Sequence, residues 1–151
     1  MVMAQTPPTT LPVGVGARLG AGLVALGLLA VLGVGAWLVP AGLGHGTHTS
    51  LGLPACGWVL AFGKPCPTCG MTTAFAHAAR LELWASFRAQ PMGCVLAVLS
   101  ATIFWPAAYV AVTGSRVGAV FATMFTPRVL WIMAGFGVVG WVYKIWTWRV
   151  A

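Results

Sequence analysis

The sequence LGAGLVALGLLAVLGVGAWLV, residues 19–39, contains no charged residue. At 1.5 Å per residue an α-helix of this length spans roughly 31 Å, the thickness of the hydrocarbon core of a bilayer. The run therefore predicts a first transmembrane helix, and its glycines allow another helix to approach closely. Arg18 before the run and Val39-Pro40-Ala41 after it also fit a secretory signal peptide, but the run is longer than the apolar region of a typical one.

The composition of the whole chain supports a membrane protein. Of its 151 residues, 60% are hydrophobic and 6% are charged, and Glu82 is the single acidic residue. A soluble domain carries about a quarter charged residues. The formal net charge of +7 comes from basic residues that are scattered singly beside apolar runs. Such residues act as topology signals, which argues against nucleic acid as a partner and for the lipid bilayer.

Two further uncharged or nearly uncharged runs, at about 92–112 and 129–146, predict the second and third spans. Residues 1–17, rich in Pro, Thr and Gly, predict a disordered tail before a single helical membrane domain at 18–151. Residues 53–89 contain no run long enough to span and should form an interfacial motif segment. The predicted fold is an all-α integral membrane protein with three transmembrane helices. Short re-entrant or interfacial helices would surround a CPxCG motif at residues 66–70.

The basic residues divide between the two predicted sides of the membrane. One side would hold Arg18, Arg116 and Arg128, and the other would hold Lys64, Arg80, Arg88, Lys144 and Arg149. Because cytoplasmic loops carry the excess of Lys and Arg, the motif segment and the C-terminus are predicted to face the cytoplasm. Lys144 lies close enough to the end of the third span to extend its amine toward the interface.

Residues 64–77, KPCPTCGMTTAFAH, contain the most distinctive motif of the chain. Pro65 and Pro67 disfavour a helix, so a helix should begin near Thr68 and place Cys69 in its first turn. Unpaired N–H groups at that end favour an anion, which predicts a thiolate. Cys66 and Cys69 are therefore candidates for thiol exchange or for binding a soft metal. The alternative is a turn whose small side chains only pack against neighbouring helices.

Other residues could complete a metal site. Cys56, His45 and His48 lie in the preceding segment, and zinc is the candidate cofactor, although nothing in the spacing requires a metal. The four cysteines, which include Cys94, are too few and too unevenly placed for a disulfide scaffold.

A helix from Thr68 to Arg80 would also create a polar stripe, with Glu82 just beyond it. The residues of that stripe are Cys69, Thr73, His77 and Arg80. His77 would lie roughly 12 Å along the axis from Cys69, too far to share a metal ion. The stripe could line a small ion-conducting cavity, or it could consist of satisfied or exposed side chains.

The motif resembles the signature of the domain of unknown function 2752 family of small bacterial membrane proteins. The resemblance covers roughly residues 53–112, and the positions that fit are Cys66, Pro67, Cys69, Gly70, Thr72, Ala74, Phe75 and Pro91. Three positions depart from the pattern: Thr73 replaces an Arg, Leu81-Glu82 replaces Gly-Asp, and Gln90 replaces Asn. The resemblance implies a bacterial inner membrane location but no activity.

The sequence shows no carboxylate pair, phosphate-binding loop or Ser-His-Asp set, which disfavours an enzyme. The leading interpretation is a non-enzymatic accessory or assembly subunit that docks on other membrane protein subunits through its glycine-rich helices. The alternatives are a thiol–disulfide or metal-binding membrane protein that uses the CPTCG motif, and a transport or channel module.

Overall fold

The computed structural model describes residues 14–115 and 126–148, and the secondary structure within these residues is helical throughout. The α-helices are α1 (Val15–Trp37), α2 (Gly57–Phe62), α3 (Met71–Ala78), α4 (Leu83–Ala89), α5 (Pro91–Thr113) and α6 (Pro127–Trp146). A short 3₁₀ helix covers Thr47–Leu51. Three of the helices, α1, α5 and α6, are long and apolar enough to cross a membrane, as the sequence predicts.

The predicted ends of the spans differ from the observed ends by up to four residues. Helix α1 begins at Val15, so residues 15–17 are helical and do not belong to a disordered tail. Of the rest of the predicted tail, the structure describes only Gly14, and residues 1–13 lie outside the described residues. Arg116 and Arg149 lie outside them too.

Helices α1 and α5 pack side by side in opposite directions. The guanidinium of Arg18, near the start of α1, donates hydrogen bonds to the carbonyls of Ala111 (3.2 Å) and Val112 (2.8 Å) near the end of α5. These carbonyls belong to the last turn of α5, which lacks intrahelical donors. A Cβ at Gly22 would lie 3.7 Å from the Cβ of Ala111, an ordinary contact distance, so the two helices lie close together here.

Helix α6 runs back beside the start of α5. A Cβ at Gly140 would lie 3.6 Å from the backbone nitrogen of Met92, and the indole of Trp141 reaches the carbonyl of Pro65. The end of α1, residues 38–90, the start of α5 and the end of α6 therefore share one end of the bundle, here called the motif end. The start of α1 and the end of α5 lie at the opposite end.

The short helix α3 forms the packed centre of the motif end. Thr73, Ala74 and Ala76 are fully buried, and the Ser86 hydroxyl of α4 donates to the Ala74 carbonyl at 2.7 Å. Gly93 of α5 lies so close that a Cβ there would be 2.8 Å from the Cβ of Ala74. Helices α2, α3 and α4 have six, eight and seven residues, far fewer than the roughly 20 that a span needs.

Candidate functional site

The cysteine motif forms a turn that precedes α3. The backbone N–H of Cys69 donates to the carbonyl of Cys66 at 3.0 Å, and that of Met71 donates to Thr68 at 3.1 Å. Gly70 follows with φ 89° and caps α3, which begins at Met71. The prediction that a helix begins near Thr68 and includes Cys69 is therefore wrong. The left-handed conformation of Gly70, which glycine adopts at little cost, separates the turn from the helix.

Side chains from the long helices hold this turn in place. The indole N–H of Trp141 donates to the Pro65 carbonyl at 3.0 Å, and the amide of Gln90 donates to the Pro67 carbonyl at 2.9 Å. Gln90 is buried, as is Pro65. Buried carbonyls require such donors. The shape of the turn therefore depends on Gln90, at the start of α5, and on Trp141 of α6.

Lys144 lies close to Gly70, the last residue of the turn. Its ammonium donates to the carbonyls of Gly44 (3.0 Å) and Ala89 (2.7 Å), and its side chain is buried. Lys144 therefore points into the packed motif end, and its amine is not an exposed group that extends away from the protein. A Cβ at Gly70 would lie 2.7 Å from the Gly44 oxygen, 2.9 Å from the Ala89 oxygen and 3.2 Å from the Lys144 nitrogen. Only glycine fits at this position without a shift in one of these groups.

Three cysteines and a histidine surround one open cavity of about 340 Å³. Cys66 and Cys69 come from the turn, Cys56 precedes α2, and His48 comes from the 3₁₀ helix. All three cysteines have free thiols. His45 lies elsewhere, with its ring edge-to-face against Trp148 at a centroid distance of 4.2 Å. The structure thus brings together four of the five residues that the sequence identifies as candidate thiols or ligands.

The arrangement of these side chains bears on the zinc hypothesis. Among residues 14–115 and 126–148, no group of three or more His, Cys, Asp or Glu side chains is positioned to hold a metal ion. Cys56, Cys66 and Cys69, which line the cavity, are called the thiol cluster below.

The thiols of this cluster differ in acidity. The backbone N–H of Val59 is the main cause that lowers the pKa of Cys56, and the thiol of Cys66 and further backbone N–H groups add to it. Burial raises the pKa of Cys69 to about 11, and the neighbouring Cys66 adds to that increase. The predicted thiolate at Cys69 is therefore wrong, because its sulfur is buried and does not lie at a helix start. The cluster favours a thiolate at Cys56 instead.

Of the predicted polar stripe, only Thr73 and His77 lie on α3, because Cys69 precedes the helix and Arg80 follows it. Thr73, His77 and Arg80 each contact a polar group of the motif end. The hydroxyls of Thr73 and Thr47 share a buried hydrogen bond of 2.7 Å, and Arg80 donates to the carbonyls of Leu38 (2.7 Å) and Ala76 (2.9 Å). His77 Nδ1 lies 2.6 Å from a carboxylate oxygen of Glu82.

Residues 54–104 match the model of a family described as "Protein of unknown function (DUF2752)". The match confirms the resemblance that the cysteine motif indicates, and it covers α2, α3, α4 and the first part of α5. No curated protein and no solved structure matches the chain.

Proposed function

We propose that this three-span protein carries out reversible thiol–disulfide chemistry at the surface of the bacterial inner membrane, the location implied by the family resemblance. The observation that supports the proposal best is the cluster of Cys56, Cys66 and Cys69 around one open cavity. The pKa of one of these thiols is lowered and that of another is raised to about 11. Disulfide exchange starts from a thiolate, and the lowered pKa of Cys56 favours that form.

The order of reaction follows from the acidities. The Cys56 thiolate attacks a disulfide of a partner protein or small molecule, forming a mixed disulfide and releasing one partner thiolate, which takes up a proton. The Cys66 thiol, in contact with Cys56, loses its proton to solvent and attacks the Cys56 sulfur. A Cys56–Cys66 disulfide forms, the second partner thiol leaves, and two electrons have passed from this chain to the partner.

In this proposal the catalytic pair is not the Cys-x-x-Cys pair of the motif. Because the pKa of Cys69 is about 11, its thiol stays protonated near neutral pH and is a poor nucleophile. Cys69 instead fills the buried side of the turn, next to Gly70. The greater number of Lys and Arg residues at the motif end favours a cytoplasmic cluster, where the resting state is the reduced one.

The pairing can be tested by mild oxidation of the purified protein with a glutathione disulfide, followed by disulfide mapping with mass spectrometry. We expect a Cys56–Cys66 linkage that disappears in Cys56→Ser and persists in Cys69→Ser. Cys94→Ser is the matched control, because Cys94 is buried in α5 and its thiol faces the Leu83 carbonyl. A Cys66–Cys69 linkage in the wild type would contradict the assigned pair. Stoichiometric zinc in the native protein would replace the exchange proposal with a metal site.

A second candidate function, an accessory subunit, is favoured by the surfaces of the spanning helices. Cβ atoms added at Gly20, Gly27 and Gly33 of α1 would meet nothing within 4 Å, and the same holds for Gly135 and Gly137 of α6. Such smooth, open faces allow helices of other membrane subunits to approach closely. Crosslinking in native membranes followed by purification would test this role: the Gly27→Leu variant should lose a crosslinked partner that the wild type retains.

The transport alternative has less support. Arg80 donates to two backbone carbonyls and Glu82 pairs with His77, so these polar groups serve local structure at the motif end.

A further inference from the structure

A second cavity, of about 640 Å³, lies at the motif end on the far side of Gly70 from the thiols. Its lining includes His77, Arg88, Tyr143 and Lys144, together with residues 42–44. Gly70 lines the thiol cavity, and a Cβ there would lie 3.2 Å from the Lys144 nitrogen, so the two cavities are neighbours.

Arg88 and Lys144 bring two positive charges to this cavity, and neither has an acidic partner among the residues that the structure describes. Glu82 is the only acidic side chain in the sequence, and it is paired with His77. Lys144 is 5% exposed, and in the described part of the chain its hydrogen bonds go to two backbone carbonyls. The guanidinium of Arg88 lies 5.5 Å from the centre of the Trp84 ring. A buried ammonium without an anion is costly. An anion that enters the cavity would interact favourably with both Lys144 and Arg88.

Exposed tryptophans beside the cavity indicate that it lies near the lipid headgroups. Lys144 is in the last turn of α6, and Trp146, two residues further along, is 92% exposed. Trp84, one turn before Arg88 on the short helix α4, is 69% exposed. Exposed tryptophans at the end of a span and on an adjacent surface helix are typical of the membrane–water interface. A headgroup can therefore reach Arg88 and Lys144 without crossing the hydrocarbon core.

We propose that this cavity binds a phosphate group carried by the headgroup of an anionic phospholipid. Arg88 supplies a planar set of donors that suits a phosphate, and Lys144 supplies an amine behind it. Leu43 and Ala85, which also line the cavity, provide an apolar wall for the first carbons of the lipid. This site does not depend on the thiol chemistry, because it shares no side chain with the cysteine cluster.

Native mass spectrometry of the full chain in detergent tests the proposal, with phosphatidylglycerol and phosphatidylcholine as the two probes. We expect tighter binding of phosphatidylglycerol, and a loss of about tenfold in Arg88→Gln, the effect of one charge-assisted hydrogen bond. The matched control is Arg128→Gln, which removes the same charge from an exposed residue at the opposite end of α6. Arg88 is exposed, so its replacement should leave the fold intact. Lys144→Gln is a second variant, to be interpreted only if it purifies as a folded protein.

A parallel measurement of thermal stability with inorganic phosphate separates the two sources of the anion. Stabilisation by phosphate that Arg88→Gln abolishes, without a preference for phosphatidylglycerol, would keep the anion site and assign it to a soluble phosphate compound. Equal binding of the two lipids with no effect of phosphate would overturn the proposal. An equal loss in Arg128→Gln and Arg88→Gln would also overturn it, because the effect would then reflect net charge alone.

Discussion

Replacement of Gly70 by alanine should be among the most destabilising single changes in this protein. Gly70 has φ 89°, a left-handed conformation, and its α-carbon faces three polar groups. The new Cβ would lie 2.7 Å from the Gly44 oxygen and 2.9 Å from the Ala89 oxygen. These two oxygens accept the hydrogen bonds of Lys144, so neither can retreat without weakening a bond to a buried charge.

The expected cost combines two effects and, where a hydrogen bond of Lys144 is lost, a third. A residue with a Cβ in the left-handed region costs roughly 1–2 kcal/mol relative to glycine. Displacement of a packed carbonyl costs roughly 1–3 kcal/mol, in line with the overpacking of other buried sites. A hydrogen bond to a charged group, if it is lost, contributes a similar amount, about 1.5–3 kcal/mol. Gly70→Ala should therefore lower the free energy of unfolding by about 4 kcal/mol, whereas most substitutions cost about 1 kcal/mol.

Gly63→Ala provides a matched control. Gly63 also has a left-handed conformation, with φ 63°, but a Cβ there would meet nothing within 4 Å. Gly63→Ala should therefore lower the free energy of unfolding only by the backbone cost, roughly 1–2 kcal/mol. Reversible unfolding in mixed detergent micelles, followed by tryptophan fluorescence, would give both values. If Gly70→Ala is no more destabilising than Gly63→Ala, the steric argument at Gly70 is wrong.

Three further predictions concern the core, the thiols and the topology. Thr73→Val removes the buried hydrogen bond to Thr47 and should lower the free energy of unfolding by about 1–2 kcal/mol. The control Thr102→Val, at an exposed site on α5, should change it little. Equal effects of the two substitutions in the same unfolding assay would contradict the role of the buried bond. Alkylation by iodoacetamide, followed by mass spectrometry, should modify Cys56 faster than Cys69 at pH 8, because the pKa of Cys56 is lowered and that of Cys69 is raised to about 11. The alkylation rate at Cys69 should continue to rise until the pH reaches about 11. A plateau of that rate near neutral pH would refute the assigned acidity. Single cysteines at positions 48 and 115, in a chain with the native cysteines replaced, should be labelled from opposite sides of the membrane, and labelling from one side would refute the three-span topology.

The three spans could be predicted because their signal is local. A run of about 20 apolar residues has few alternatives to a membrane helix, whatever the rest of the chain does. The ends were less predictable. Helix α1 begins at Val15, before Arg18, because a charge ends the apolar run but not the helix, and arginine is a good helix former. The long side chain of Arg18 reaches carbonyls at the end of α5.

The site was only partly predictable, because its properties depend on packing between distant segments. The sequence identifies Cys56, Cys66, Cys69 and His48 as candidates, and the structure places them at one cavity. The acidity of Cys69 was predicted in the wrong direction because burial cannot be seen in the local pattern. A local signal did exist for the helix start, since Gly70 after the second cysteine favours a left-handed cap and ends the turn there.

Lys144 shows why the segment that matches the family cannot be understood alone. Gln90 is extended, with φ −162°, and Pro91 begins α5 without a backbone N–H, so α4 ends at Ala89 with a carbonyl that lacks a helical donor. Because Ala89 is buried, this carbonyl needs another donor, and the ammonium of Lys144 provides it at 2.7 Å. Trp141 serves the Pro65 carbonyl of the cysteine turn in the same way. Both donors lie on α6, beyond the matched residues 54–104, so the geometry of the thiol cluster depends on a helix that the matched segment does not contain.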